Sequence, residues 1–364
     1  MASDAAVSLV ANTSGLHDPL LRREWKAVAW SRDIPYGKLL PIRVMGLDLV
    51  LWRSSEGLHC WRDHCVHRGA KLSLGAIRLA IREHAHDCLI CPYHAWEYAP
   101  SGKCVRIPAH PNQSPPSKAR AESFKVAERY GIVWVAFSDK PGPLPTFKIV
   151  EDPTYRRILA GPYRMRAQGP RIMENLLDIG HLGVVHTGSL GDPLQGEIRN
   201  YGVRPGNTRR GPEAREIRIW QPDPDGTGIP ALFTHRYWII GPLTLGILKT
   251  SGERSFGMLA QIAPVDDQFC ECRLVLCLNY GHEFSDEELI RFQDQVFEQD
   301  RVIVESQQPQ SLPLNLEDEL HMRSDRMAVA YRKWLSAIGF TYGTSGALLH
   351  GLPEAEETSS LTSE

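Results

Sequence analysis

Two short pairs of metal-binding side chains stand in the first third of the sequence. They are Cys65-x-His67, within CVHRGAKLSLG, and Cys91-x-x-His94, within CPYHAWEY, with residues 68–90 between them. Each pair offers one thiolate and one imidazole from a tight loop. Gly69 lets the first loop turn closely, and Pro92 stiffens the second. Two Cys on one iron and two His on the other form the ligand set of a mixed-ligand 2Fe–2S cluster, whose imidazoles raise its potential. A Cys₂His₂ zinc site uses the same residue types, but zinc fingers place both cysteines before both histidines. The alternating order here favours the cluster. The neighbouring Cys60 and Cys88 alternate with apolar strand residues and read as buried thiols. His84 and His86 sit in a polar insertion and read as solvated, while Cys270, Cys272 and Cys277 read as core.

A second constellation lies in Glu174–His186, ENLLDIGHLGVVH. Asp178 precedes His181 by three residues, so on a helix the two face the same way. Its carboxylate is placed to accept from the imidazole N–H that does not bind metal, which fixes the tautomer. His181 and His186 are five apart, about 140° around a regular helix. Both reach one metal only if the helix unwinds or bulges between them, and Gly183 permits that. Two histidines and one carboxylate form the facial triad of a non-haem Fe(II) site with open positions for dioxygen. The amphipathic stretch Asp286–Gln307 supplies the acid. Its apolar stripe runs Leu289, Val296, Ile303 with Asp300 inside it, whereas Asp294, Glu298 and Glu305 fall at the edge or outside. A lone acid on a buried stripe needs a cation, which selects Asp300. Taken singly, each of these residues is better explained by core packing or a buried ion pair; it is the combination, with the two Cys/His pairs upstream, that points to iron.

Cys65-x-His67-Arg68-Gly69 with Cys91-Pro92-Tyr93-His94-x-Trp96 resembles the Rieske domain signature. Asn175-x-x-Asp178-x-x-His181-x₄-His186 is similar to the mononuclear iron motif of Rieske oxygenases, and Phe297-x-x-Asp300 falls where they place the ligand aspartate. The resemblance covers roughly residues 22–345. Two departures stand out: the spacer containing AIRLAIREHAHD is longer than usual, and Ala95 replaces the usual Gly. The resemblance implies a 2Fe–2S cluster passing electrons to Fe(II), which activates O2 on a small organic substrate. It also implies a head-to-tail homotrimer, in which His94 of one subunit contacts Asp178 of the next and Asp178 bridges electrons to His181. The segment VFEQDRVIVESQQPQSLP, with SDRMAVAYRKWL and GFTYG, resembles the monooxygenase branch that includes vanillate, dicamba and methylxanthine demethylases and saxitoxin-pathway hydroxylases. Hydroxylation or O- or N-demethylation is therefore expected ahead of ring cis-dihydroxylation or a pure electron-carrier role.

The elements that must position these residues fall into two kinds, an α+β organisation. From Trp25 to about Phe137 the pattern is short β-runs, such as Leu47–Trp52, Cys88–Cys91 and Gly131–Phe137, an all-β unit. SDKPGPLP at Ser138–Pro145 marks a junction. The expected division is a mobile lead over 1–20, the cluster domain over 21–140, the catalytic domain over 141–350 and a disordered tail over 351–364. In the catalytic part a helix covers Arg171–His186, and an extended loop region covers 190–230. Strands follow at about 231–240, 243–250, 256–263 and 270–280, then helices at Asp286–Gln307 and Ser324–Ile338. An antiparallel sheet with helices packed on it accounts for this order. The substrate pocket is expected between the iron helix and those strands, with Ile172, Leu245, Ile262, Leu276 and Asn279 as candidate lining residues.

Composition bounds the rest. The 364 residues are 42% hydrophobic and 23% charged, with a net charge of −2, which gives no reason to expect nucleic acid as a partner. No run approaches the ~20 apolar residues of a membrane span, and the N-terminus lacks a basic n-region, so a cytoplasmic location is expected. No dinucleotide fingerprint and no plant-type cluster spacing occur. Electrons are therefore expected from a separate flavin- or ferredoxin-type reductase using NAD(P)H.

Overall fold

The computed structural model describes residues 15–80, 87–208 and 210–346. Three of the expected features fall wholly or partly outside them: His84 and His86, most of the 1–20 lead, and the 351–364 tail. Asp18 accepts from the Leu20 and Leu21 N–H groups to cap α1 (Pro19–Arg23), and its other oxygen accepts from Thr341 near the far end of the chain.

The N-terminal half is built from strands, as the Val-, Ile- and Trp-rich runs require. A six-stranded sheet joins β1 (Lys26–Trp30), β2 (Leu39–Val44), β3 (Leu47–Ser54), β4 (Gly57–Arg62), β9 (Ser123–Arg129) and β10 (Ile132–Ala136) in the order β1-β10-β9-β4-β3-β2. A four-stranded sheet joins β5 (Ala76–Arg78), β6 (Cys88–Ile90), β7 (Glu97–Tyr98) and β8 (Cys104–Arg106). The turn between β6 and β7 of this smaller sheet carries Cys91 and His94, and the loop from β4 to β5 carries Cys65 and His67.

β10 is IVWVA and every residue in it is buried. Period-2 alternation explains this, because both of its faces are covered. Val133 and Val135 join the main core, while Ile132, Trp134 and Ala136 pack with Leu259, Val275 and Cys277 of the catalytic sheet. That second sheet has seven antiparallel strands: β11 (Arg156–Met165), β12 (Gly202–Arg204), β13 (Glu213–Gln221), β14 (Ala231–Gly241), β15 (Thr244–Ser251), β16 (Arg254–Pro264) and β17 (Cys270–Leu278), in the order β11-β17-β16-β15-β14-β13-β12. The four strands expected from periodicity are present. β13 lies where an extended loop region was expected, because EAREIRIWQ follows a Gly/Pro-rich stretch and puts charged residues on its outer face. β11 escaped notice because Gly161-Pro162 interrupts it. Pro cannot donate to the ladder, and the register with β17 shifts between Ala160 and Tyr163.

Helices α2 (Gly169–Leu177), α4 (Asp286–Ser306) and α5 (Arg326–Ile338) pack on one face of this sheet, joined by the single turn α3 (Leu182–Val185). Ser285 starts α4 with a capping box closed by Glu288. The buried side of α4 is Leu289, Gln293, Val296, Phe297, Asp300 and Val304. The stripe is thus shifted from the one expected: Ile303 is exposed, and Val304 takes its place beside Asp300. Among the described residues no helix is long and apolar enough to cross a membrane.

Candidate active site

The two histidines of the second constellation converge by a different local geometry from the one expected. The helical run does not unwind at Gly183. It stops earlier: Asp178 ends α2 in an extended conformation, and its Oδ1 accepts from the Gly180 N–H at 2.8 Å. His181 then opens α3 and His186 closes it with non-helical φ −109°, ψ 37°, bringing the two ring centroids to 5.1 Å. The close packing here depends on Gly191, where a Cβ would lie 2.7 Å from the Gly183 backbone, whereas a Cβ on Gly183 itself would meet nothing nearer than Asp192 O at 3.4 Å.

α4 delivers the acid. His181 Nε2 and His186 Nε2 lie 3.5 and 3.1 Å from Asp300 Oδ1. One donor atom from each of the three residues falls within 4.8 Å of the others. His186 and Asp300 are almost fully buried, and His186 Nε2 makes no hydrogen bond of acceptable direction. Two imidazole nitrogens and a carboxylate oxygen, aimed at one point and short of partners, fit a divalent iron.

The surrounding contacts orient these donors. His181 Nδ1 is 3.0 Å from Asp178 Oδ2, and Asn175 Nδ2 donates to Asp300 at 3.3 Å. His186 Nδ1 is 2.7 Å from Gln299 Oε1. Burial alone would raise the Asp178 pKa, but His181 and the local N–H groups outweigh it and hold the carboxyl below its ordinary range. Burial lowers the basicity of His186, yet the Asp300 carboxylate and Gln299 overcome that and raise it. One turn before Asp178, Glu174 pairs with Arg332 of α5 at 2.6 Å and with Arg171, which reaches Glu319 at 2.7 Å. This buried ion network fixes the end of α2 against α5.

A cavity of about 70 Å³, partly open to solvent, lies over the three donors. None of the five expected lining residues borders it. Leu245, Ile262 and Leu276 point to the correct face of the sheet but sit on other rungs. The cavity touches their neighbours Ile247, Phe256 and Met258 instead. Ile172 is buried within α2, and Asn279 binds the Ser255 N–H at the sheet's edge. The polar residues of the cavity wall, Gln221, His235, Lys249 and Gln293, were missed, as was Gln299 beside His186. Polar residues at inward-facing positions of otherwise apolar strands were the available signal.

The first constellation is also assembled. Cys65 and Cys91 are both 2% exposed, and burial together with the neighbouring Cys65 thiol raises the Cys91 pKa. His67 and His94 have ring centroids 4.6 Å apart, and His67 stacks on Trp96 at 4.5 Å. Tyr98 Oη lies 3.1 Å from Cys65 Sγ, and His67 Nδ1 is buried with no partner. Four ligands of one tetrahedral zinc would lie within about 4 Å of each other, given bonds of ~2.0–2.3 Å. Among the described residues no three of these donors meet even at 4.8 Å. The wider set fits two bridged irons. Ala95 occupies the left-handed region, with φ 55°, which explains why glycine is the usual residue there. Cys60, Cys88, Cys270, Cys272 and Cys277 are buried, and burial pushes each thiol pKa up.

Residues 24–127 match the Rieske [2Fe-2S] domain, and residues 165–339 match the vanillate O-demethylase oxygenase C-terminal domain. The chain is similar to methylxanthine N1-demethylase NdmA of Pseudomonas putida, 29% identical over 303 residues and 81% of each chain. It is also similar to a probable methylxanthine N7-demethylase, NdmC, of Pseudomonas sp. (strain TJI-51). That match is 30% identical and spans 59% of this chain and 78% of the relative. The solved structure of Pseudomonas putida CBB5 NdmA with caffeine superimposes with a TM-score of 0.74 at 27% identity, covering 93% of this chain and 98% of that one. With a 2Fe–2S domain, a buried site for a single iron and a cavity above it, this chain belongs to the Rieske non-haem iron oxygenases and is an oxygenase component of that family.

Proposed function

We propose that the protein is a terminal monooxygenase that hydroxylates a small organic substrate or removes an O- or N-methyl group from it. Cys65, His67, Cys91 and His94 would hold the cluster, and His181, His186 and Asp300 the iron. The observation that carries this reading is the meeting of three donors, His186 and Asp300 buried and His181 nearly so, beneath a cavity. Bound there, the iron supplies dioxygen activation, with two external electrons per turnover delivered through the cluster. The chain's own groups do the positioning. Asp178 and Gln299 accept from the outer ring nitrogens of the two histidines, which turns both Nε2 lone pairs inward. Asn175 holds the Asp300 carboxylate by its Oδ1. The apolar wall of Ile247, Phe256, Met258, Val296 and Phe297 excludes water from the reacting bond.

The division into a cluster domain over 21–140 and a catalytic domain over 141–350 belongs to this reading, as do a cytoplasmic location and a separate reductase using NAD(P)H. So does a head-to-tail homotrimer. His94 is exposed and Asp178 about one-third exposed, so each is available to a neighbouring subunit, with Asp178 carrying electrons from one ring to the next. The relatives named as demethylases favour methyl removal over ring cis-dihydroxylation. The test is a substrate screen with purified protein and a surrogate reductase, assaying formaldehyde and hydroxylated product separately. Formaldehyde in step with oxygen uptake is expected; a cis-diol as the main product would overturn the monooxygenase assignment.

A further inference from the structure

The cavity over the three donors holds only about 70 Å³. An engineered apolar cavity of about 150 Å³ takes up one benzene ring, so a ring-sized substrate fits here only where the wall gives way. Two stretches of that wall are backed by open grooves instead of packed protein. Asn175, Asp178 and His181 separate the cavity from the first groove. They are an iron donor and groups that orient the donors, hydrogen-bonded to one another or to Asp300. Displacing them would dismantle the metal site. Phe297 separates the cavity from the second, a groove of about 550 Å³ between α4 and β11.

Phe297 is 4% exposed, and another ring stands behind it. Tyr163 stacks on it with centroids 4.1 Å apart and planes 10° from parallel. Tyr163 is half-buried and lines the groove itself. It follows the irregularity of β11 at Gly161-Pro162, where the register with β17 shifts, and such a bulge re-aims the next side chain. Its hydroxyl donates to Asp294 Oδ1 at 2.9 Å. Asp294 stands three residues before Phe297 on α4, on the same side of the helix. The hydrogen bond thus ties the outer ring to the helix that carries the inner one.

We propose that Phe297 is a specificity-determining residue: its ring, latched by Tyr163 and Asp294, is the movable wall that sets how large a substrate the cavity accepts. Swinging toward the groove, it opens the room that a ring-sized substrate needs. An aromatic side chain on a helix has two favoured χ1 positions, so the motion needs no change in α4 and leaves Asp300, one turn further on, in place. The proposal rests on the reading of this cavity as the oxygenase's substrate site.

The test uses the full chain with both metal centres loaded, kept anaerobic, and isothermal titration calorimetry with phenol, 4-methylphenol, 4-ethylphenol and 4-propylphenol. In the parent each added carbon should raise affinity by less than about two-fold, because it must displace the ring. In Phe297→Ala the rise should be about four-fold, the worth of a freely buried methylene. Tyr163→Phe adds no space to the cavity, so a gain there reports the latch and not a hole. It should bind 4-propylphenol about two- to ten-fold more tightly than the parent, the worth of one net hydrogen bond. The same change made on top of Phe297→Ala should add nothing, since no ring is left to latch. Equal rises per carbon in the parent and Phe297→Ala, no gain in Tyr163→Phe, the same gain in both backgrounds, or binding of no probe would each overturn the proposal. Tyr163→Phe decides the matter even if Phe297→Ala does not fold. Absence of the cluster's visible spectrum would refute the oxygenase reading itself, separately from the movable wall.

Discussion

Gln299 holds one of the two metal-binding rings, and removing its carbonyl should loosen the iron by a calculable amount. In the structure His186 Nδ1 lies 2.7 Å from Gln299 Oε1, and the ring is 1% exposed. Metal on Nε2 forces the proton onto Nδ1, so Gln299→Leu strands a buried N–H only when iron is bound. Without metal the proton can sit on Nε2, 3.1 Å from Asp300 Oδ1, and Nδ1 then carries no hydrogen to be stranded. The penalty for an unpaired buried donor is about 1–3 kcal/mol, which is roughly 5- to 150-fold in affinity at 1.4 kcal/mol per ten-fold. It should appear almost wholly in iron binding, not in the stability of the metal-free chain. Anaerobic competition with an Fe(II) chelator, with the cluster absorbance as an internal standard, reads it directly. Gln299→Glu, which keeps the acceptor, should bind iron at least as well as the unaltered protein. A leucine variant that retains iron as tightly as the parent would refute the argument that Gln299 sets the tautomer of His186.

Four further outcomes follow from the same geometry. Asp178→Asn should keep both metal centres yet lose most turnover, with the reduced cluster no longer reoxidised promptly by substrate and dioxygen in rapid mixing; full activity would confine Asp178 to orienting His181. Ala95→Gly relieves a left-handed backbone that costs about 1–2 kcal/mol, against ~0.4–1 kcal/mol of added chain entropy; a rise in Tm of about 1–2 °C by calorimetry is expected. Because the pKa of His186 is raised in the metal-free protein, its ion pair with Asp300 stabilises that form fully below the unfolded value near 6.5. The contribution is lost as pH climbs through the higher folded value. Denaturant midpoints of the apoprotein across pH 6–8 should show this, and His186→Gln should remove it. Leu245→Ala opens a cavity in the core, where Leu245 is fully buried, and should destabilise by about 2–5 kcal/mol, read as a fall in the denaturant midpoint.

The proposed metal-binding residues were legible because chemistry restricts them. Few arrangements other than a cluster explain Cys and His alternating across two short loops, and Asp300 betrays itself as an acid within an apolar stripe. The geometry that joins His181 to His186 was not legible. Spacing said that a helix must break, but the break falls at Asp178, where the side chain captures the Gly180 N–H and replaces a helical turn. Nor could periodicity place the cavity. Leu245 and Ile247 share one face of one strand, and only the position of α4 across the sheet decides which of them meets substrate. The strands of β11 and β13 were hidden by Gly161-Pro162 and by a charged outer face, both local features that tertiary pairing overrides.

Iron and acid-labile sulfide, measured per chain on anaerobically prepared protein, test the central claim most directly when compared between the parent and His181→Ala. Two irons in the cluster and one in the mononuclear site predict about three irons with about two sulfides in the parent. The variant should lose one iron, all sulfide should remain, and oxygen insertion should cease. Zinc in place of iron, or a His181→Ala protein that retains the third iron and inserts oxygen normally, would contradict the account.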